Sequence, residues 1–408
     1  MHSSDEPSHV TGSYDIASPD DQRRVRAIAA GLLTSGHGSG GDTLAPNTSI
    51  DEALASKLAE SKAAVDASGW SGRLAVVFAM WGEQRRLLPR SADNPTGEDA
   101  LITKLDQLSW LFDGSAVDWS VIAVDDGDPD DSASVALRQA ERHQERERVT
   151  VLRLGEAIPT DSGPLASLAD VDDSRKGGAI ALGALRAMDR GADAVVITDA
   201  DNSVDLGQVG LLLQPFLGGA GVVIGDRKHP ASVLVKAEDR WGPGIVVLRH
   251  MQRMVGRALF DRGLRDTQAA FKLYGRTALE AILAAPSTFG FSFDSDWLFA
   301  AVAAGEQIER VPFAFIDSFE ESASITQGPM TTWESLLTGL VAAARARGVD
   351  HDEEMAAVVD DFVTAEALDQ VIELVPDELI GVSDAQLGQR STMTPDQLRA
   401  WLQSVINR

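Results

Sequence analysis

The chain has no cysteine, only two tyrosines and no uninterrupted apolar run of about 18 residues. Without cysteine there are no disulfides, thiolate metal sites or cysteine nucleophiles, and the redox compartment stays open. Without a long apolar run, no transmembrane helix is expected. The opening residues, MHSSDEPSHV, offer neither the basic region nor the apolar stretch of a signal peptide, so the expected location is cytoplasmic. Positive charge is scarce too. The 36 Lys and Arg stand against 62 Asp and Glu, a formal net charge of −26. Such a body repels phosphate backbones and anionic bilayers, so neither nucleic acid nor an integral membrane is an expected partner. What is present is ordinary for a globular protein: 44% apolar and 24% charged residues, in a chain long enough to bury a large core.

Charge and hydropathy divide the chain. Residues 348–389 carry 12 acidic side chains and no Lys or Arg. Residues 71–347 are the least acidic per residue, which suits a site for a phosphorylated ligand. The first 20 residues are polar and read as disordered. Helices are expected over 21–34 and 51–66, joined by a Gly/Ser-rich linker over 35–49. Short apolar runs at 74–80, 119–124, 149–154, 194–198 and 221–225 read as strands. Helical patterns at 98–111, 132–146 and 177–190 separate them, which means βαβ units and a mostly parallel sheet flanked by helices. After 331 only helices are expected, over 331–347, 351–374 and 394–407. The domains expected are thus a disordered tail plus helical extension over 1–70, an α/β domain over 71–330 and a helical extension over 331–408.

Two of the strands end in acidic clusters, where ligands of open α/β sheets bind. One is Asp125-Asp126-Gly127-Asp128. The other is Asp199-Ala200-Asp201. In extended chain the carboxylates of Asp199 and Asp201 share a face, and two hard oxygen ligands suit Mg²⁺ or Mn²⁺ beside a diphosphate. Turn formation after a strand explains Asp199 and Asp201 equally well, and Asp125-Asp126 better. Arg175-Lys176-Gly177-Gly178 opens a helix, a place that favours phosphate, or is only a basic first turn. His229 and His250 are candidate third metal ligands or structural histidines. Arg249, His250, Arg253 and Arg257 fall at the spacing of one helix face, either a basic site or a solvated surface. Ser292 or Asp294 can cap a helix running to Ala304, which leaves Asp296 for chemistry. Trp81 and Trp241 flank motifs and suit stacking on a base or sugar; the other tryptophans read as core. Met355, Val358, Val359, Phe362, Leu368, Val371 and Ile372 form an apolar stripe. It would cover an acceptor, make a homodimer contact or cap the core.

Taken in order, Leu74–Met80, the DDGD turn, RKGGAIALGALRAM, the DAD strand end, Gly225-Asp226-Arg227, RDTQAAFKLYGR and FGFSFDSDWLFAA resemble a family 2 glycosyltransferase of GT-A fold, over about residues 73–340. The flavour is that of dolichyl-phosphate glucosyltransferases and polyprenyl-phosphate sugar transferases. The resemblance implies that Asp125 holds the nucleobase, with Asp126 beside it, and that Ala79 and Glu83 meet the uridine pocket. It also implies that Lys176 and Gly177 edge the nucleotide phosphates and that Asp199 and Asp201 are ribose and metal ligands. Arg227 would then face the diphosphate. Asp266, Asp294 and Asp296 would be the acidic residues on the acceptor side. This sequence has Ala79-Met80-Trp81-Gly82-Glu83 where the family has Ala-Tyr-Asn-Glu-Glu, and it lacks the membrane anchors common in that branch. The expectation is therefore a cytoplasmic, metal-dependent hexosyltransferase. It would move glucose or a relative from a UDP-sugar to a small-molecule acceptor, with inversion. The alternatives are a sugar-phosphate nucleotidyltransferase and a polyprenyl-phosphate sugar transferase working peripherally at a membrane.

Overall fold

The structure, a computed structural model, describes residues 10–35, 48–174, 176–235, 242–317 and 329–406. Arg175, Trp241 and most of the 35–49 linker lie outside them. The chain divides into two compact units, one within 1–237, 268–284 and 306–320, the other within 238–267, 285–305 and 321–408. These limits differ from boundaries at 70 and 330. The expected N-terminal extension packs with the sheet, and two internal segments join the C-terminal helices.

The first unit carries α1 (Pro19–Thr34), α2 (Ile50–Ser68), β1 (Arg73–Met80), α3 (Gln84–Leu87), α4 (Ala100–Phe112), β2 (Asp118–Asp125), α5 (Ser132–Ala140), β3 (Val149–Arg153), α6 (Gly177–Asp189), β4 (Ala194–Thr198), α7 (Val209–Leu217), β5 (Val222–Gly225) and β6 (Val233–Val235). The second unit then contributes α8 (Ile245–Val255) and α9 (Arg257–Phe260). The chain returns to the first for β7 (Phe271–Gly275) and α10 (Arg276–Leu283), to the second for α11 (Phe293–Ala303), and to the first for β8 (Ile308–Val311) and β9 (Ala314–Ile316). It ends in the second with α12 (Pro329–Arg347), α13 (Glu353–Phe362), α14 (Ala365–Val371) and α15 (Pro395–Ile406).

The strand order is β3-β2-β1-β4-β7-β5-β8, with β6 and β9 in a separate parallel pair. Only β7 runs antiparallel, between β4 and β5. The α/β architecture with a mostly parallel, helix-flanked sheet is thus as the strand and helix alternation requires. The sheet's position follows from its residues. Leu74, Val76, Phe78 and Met80 fill one face of β1, Ala75 and Val77 the other, and all are buried, as a sheet covered on both faces demands. Leu101, Leu105 and Leu108 of α4 pack into the first face, each burial contributing about 1.5–3 kcal/mol. On the other face Gly183 of α6 lies so close to β1 that a Cβ there would meet Val77 Cγ1 at 2.4 Å.

Residues 10–17 are not loose, contrary to the disorder expected of the first 20. Thr11 bridges to Ser49, and Tyr14 and Ile16 are buried against α1 and α2. Polar contacts hold the segment too: Asp15 N–H donates to Asp21 at 2.9 Å and Gln22 Nε2 to the Ile16 carbonyl at 2.7 Å. Ser49 and Glu52 form a capping box that starts α2.

In the second unit the helix expected over 351–374 is two helices. Thr364 interrupts it by capping α14, its side chain accepting from Ala367 N–H at 3.2 Å. The apolar stripe is buried there except for half-buried Phe362. The acidic run draws its cations from outside itself. Arg345 binds Glu353 at 2.6 Å and Asp360 at 2.9 Å, and Arg390 grips buried Asp352 at 2.6 and 2.8 Å. Among the described residues no helix is long and apolar enough to cross a membrane.

Candidate active site

β1 is the shared neighbour of β2 and β4, so the carboxyl ends of all three lie together. Met80 pairs with Asp125, and Val77 with Ile197. The side chains just beyond these ends form the candidate site.

After β2, the Asp125 carboxylate folds its own loop. One oxygen accepts from Gly127 N–H at 3.0 Å and Asp128 N–H at 2.9 Å, the other from Ala133 N–H in the first turn of α5 at 3.2 Å. Asp126 reaches the loop before α6, accepting from Ser174 Oγ and from Lys176 N–H, both at 2.6 Å. That bond holds Lys176 at φ 85°, ψ −43°, a conformation that side-chain-bearing residues rarely adopt. The Lys176 ammonium then pairs with the Asp199 carboxylate just past β4. Gly177 is buried at the first position of α6. Burial alone would raise the Asp199 carboxyl. The cations Lys176, Arg227 and Lys104 outweigh it and hold the group below the usual carboxylate range.

β4 ends at Thr198 and the chain bends from Ala200 on, so the extended geometry that would align Asp199 with Asp201 does not apply. Asp201 instead caps its own turn, accepting from Ser203 N–H at 3.0 Å. Beneath that turn lies a buried polar network. Lys104, wholly buried on α4, donates to the Asp201 carbonyl and lies 3.4 Å from Asn202 Oδ1. Glu98 accepts from Asn202 N–H at 2.9 Å and from Arg86 Nε at 3.2 Å, and its carbonyl accepts from Asn202 Nδ2 at 3.1 Å. Arg86 also donates to Glu83 at 2.5 Å. Two carboxylates share one guanidinium, so it does not fully offset burial. Burial, with Asp201 and Glu98 nearby, pushes Glu83 up to about 7. Burial also pulls the Lys104 ammonium below the ordinary lysine range, against the attraction of Asp201 and Glu98.

Of the expected donor residues, Glu83, Asp125, Asp126, Lys176, Gly177, Asp199 and Asp201 gather at these strand ends. Ala79 lies half-buried on β1, in register with Val124. Arg227 packs its guanidinium 5.2 Å from the Phe315 ring, within the field of Asp199. Arg86, Glu98, Lys104 and Asn202 were not anticipated. The signal for Lys104 was there, because it lies three residues from Leu101 and four from Leu108, on an otherwise apolar helix face.

The metal expectation divides. Among the described residues no three His, Asp or Glu side chains gather to hold an ion. By chemistry alone Asp199 and Asp201 are hard oxygen donors of the type Mg²⁺ and Mn²⁺ take, but one is paired with Lys176 and the other caps its own turn. His229 does not join them; its Nδ1 accepts from Ala231 N–H at 3.1 Å. His250 is corrected to a structural residue of the second unit. Gly388 N–H donates to its Nδ1 at 3.0 Å, and its Nε2 donates to the Met393 carbonyl at 3.0 Å, so both ring nitrogens are engaged.

The second unit holds the late acids. Asp296 is fully buried and bound bidentately by Arg347 at 2.7 and 2.9 Å. It also accepts from Ser287 N–H at 3.1 Å and Ser287 Oγ at 2.5 Å. All its strong directions are spent on bracing, against the expectation that it serves the chemistry. Ser292 occupies the N-cap position of α11, which puts Asp294, also buried, in the first turn rather than at the cap. Asp266 is buried before β7. The expected basic face is broken at Gly256, between α8 and α9. Arg253 is buried on Asp384 at 2.5 Å, and Arg257 pairs with Asp261 at 3.6 Å.

No family model matches the chain. In sequence it is similar to the dolichyl-phosphate β-glucosyltransferase of Drosophila melanogaster, 27% identical over 234 residues, covering 56% of this chain and 62% of that one. It is also similar to the undecaprenyl-phosphate mannosyltransferase of Micrococcus luteus, 30% identical over 142 residues, 35% of this chain and 56% of that one. The chain thus spans less than two thirds of either relative. The resemblance read from the motifs is to this same branch of transferases. Among solved structures, glucosyl-3-phosphoglycerate synthase from Mycobacterium tuberculosis, in complex with Mn²⁺, UDP-glucose and phosphoglyceric acid, superposes with a TM-score of 0.45. It is 17% identical, and the match covers 72% of this chain and 85% of that one. That superposition is too loose to bear on function.

Proposed function

We propose that this chain is a glycosyltransferase of GT-A type that takes its sugar from a nucleotide diphosphate. The observation that carries the reading is the meeting of Asp126 beyond β2, Asp199 and Asp201 beyond β4, and Lys176 at the start of α6. Lys176 would release Asp199 and turn to a phosphate, while Asp125 and Glu83 border the nucleoside. Mg²⁺ or Mn²⁺ held by Asp199 and Asp201 would neutralise the leaving diphosphate. In the transfer, an acceptor oxygen bonds to the anomeric carbon as the bond from that carbon to the phosphate oxygen breaks. The nucleoside diphosphate leaves with the electron pair, and a hydroxyl acceptor passes its proton to a carboxylate. Direct displacement inverts the anomeric centre.

A small soluble acceptor fits the net charge of −26 better than a lipid at an anionic bilayer does. The names of the two relatives favour a second acceptor class, a polyprenyl phosphate, whose anionic oxygen needs no base. A nucleotidyltransferase would need a glycine-rich basic loop after β1, and Trp81-Gly82-Glu83 is not one.

Titration calorimetry with UDP-glucose, UDP-GlcNAc, GDP-mannose and dTDP-glucose, each with Mn²⁺ and with EDTA, tests the reading. Metal-dependent binding of one donor is expected. Binding of none would sink it. Transfer to a short-chain polyprenyl phosphate in detergent, set against soluble hydroxyl acceptors, then separates the two acceptor classes.

A further inference from the structure

The chain that carries Asp199 and Asp201 is anchored from below by residues that touch neither carboxylate. Lys104 donates to the Asp201 carbonyl. Glu98 binds the next amide, Asn202 N–H, at 2.9 Å, and its own carbonyl receives Asn202 Nδ2 at 3.1 Å. Both side chains are buried, Lys104 completely, with its ammonium 5.7 Å from the Phe78 ring. A lysine placed on the apolar face of a helix is expensive to bury, and a methionine of similar length would fill the same space more cheaply. The fold tolerates the lysine at the one point where its ammonium meets the acidic turn. Glu98 in turn is tied through Arg86 to Glu83 beyond β1, so the turn after β4 is referenced to the end of β1.

We propose that Lys104 and Glu98 are positioning residues for the diphosphate end of the donor, acting through the backbone of Asp201 and Asn202. The proposal rests on the donor reading above. In it, the lysine and the glutamate fix the Asp201–Asn202 peptide, immediately after the second acidic residue, so that the turn carrying Asp201 is in place before the donor arrives. Binding then incurs no cost for ordering the turn. Outer residues that orient metal-binding carboxylates typically alter affinity about 10–100-fold.

The experiment uses Lys104→Met and Glu98→Gln in the full chain. It measures calorimetric affinity for UDP and for UDP-glucose with Mn²⁺, the thermal midpoint, and hydrogen exchange of the amides over 201–203. The expected result for Lys104→Met is a lower midpoint, because the Asp201 carbonyl loses its buried donor, with faster exchange over 201–203 and donor affinity of the folded protein weakened about 10-fold or more. Glu98→Gln, which keeps the shape and removes the charge, is expected to weaken affinity in the same direction by less. A purely structural role would move the midpoint and leave affinity unchanged. Wild-type affinity in both variants would overturn the proposal. If the wild-type protein binds no nucleotide under any metal condition, the donor reading fails first and this one falls with it.

Discussion

The acidic residues of the two units are satisfied in opposite ways. In the second unit, Asp296 and Asp352 are buried and each is held by the two-pronged grip of an arginine, with backbone amides completing the set. In the first, Asp199 keeps about 40% of its side chain exposed and is met by the single ammonium of Lys176, at the end of a flexible stem. Glu83 has half a claim on one guanidinium. An arginine fork fixes geometry, whereas a lysine is a point charge that exchanges partners readily. The second arrangement holds helices together. The first leaves a carboxylate whose lysine partner another cation can displace. The difference lies in what each carboxylate touches.

The largest effect that would test this contrast is on stability. Asp296→Ala strands the Arg347 charge in the interior and is expected to cost about 3–5 kcal/mol in chemical denaturation. Donor affinity should be unchanged in the folded fraction. A parallel loss of affinity at full folding would return Asp296 to the chemistry. Next, Asp199→Ala with Asp201→Ala should leave the thermal midpoint near wild type. It should reduce Mn²⁺-dependent donor binding by about 10²–10³-fold in calorimetry. A variant that binds as before would place the metal elsewhere.

A smaller effect is expected at Glu83. Its folded carboxyl titrates at about 7, against an ordinary 4.5. The stability linked to it is complete below pH 4.5 and is lost as the pH rises toward 7, by up to about 3 kcal/mol. Glu83→Gln should therefore raise the melting temperature at pH 8 and lose that advantage near pH 4.5. Equal shifts at both pH values would contradict the assignment. Asp352 has the opposite sign. Burial works to raise its carboxyl, but Arg390 and the Met355 amide hold it below the usual value of 3.8. Its contribution is present above that pH and lost as the pH falls through the folded value. Asp352→Asn should flatten the acid limb of the stability curve below pH 4. The smallest effect is at Lys176. Lys176→Gly relieves the φ of 85° and is expected to gain up to about 1 kcal/mol in folding while weakening the hold on a phosphate. A loss of stability would show that its ion pair matters more than its backbone.

Much of the sheet was legible because its strands bury both faces. Runs such as LAVVFAM and AVVIT are unbroken by charge, and AVVIT leads straight into Asp199. β7 was missed as a strand, since Phe271–Gly275 contains Lys272, a charged residue in the middle of a buried strand. The ammonium of Lys272 is accommodated by the Ala269 carbonyl at 2.6 Å, a contact made only after folding. The site was legible in part for a similar reason. Asp125, Asp126, Lys176, Asp199 and Asp201 stand at strand ends and helix starts, which local patterns reveal. Arg86, Glu98 and Lys104 act across the fold, with Glu98 104 residues from its partner Asn202.

Sequence by itself determined the first five strands, the helices between them, the mostly parallel character of the sheet and the acidic ends of β2 and β4, because these follow from periodicity and from turn chemistry between neighbours in the chain. Only the tertiary structure decided which aspartates are braced and which are left with a replaceable partner. That choice depends on where arginines and lysines distant in sequence arrive. It also depends on burial, which sets the energy of a charge and has no meaning for a residue until the chain has folded around it.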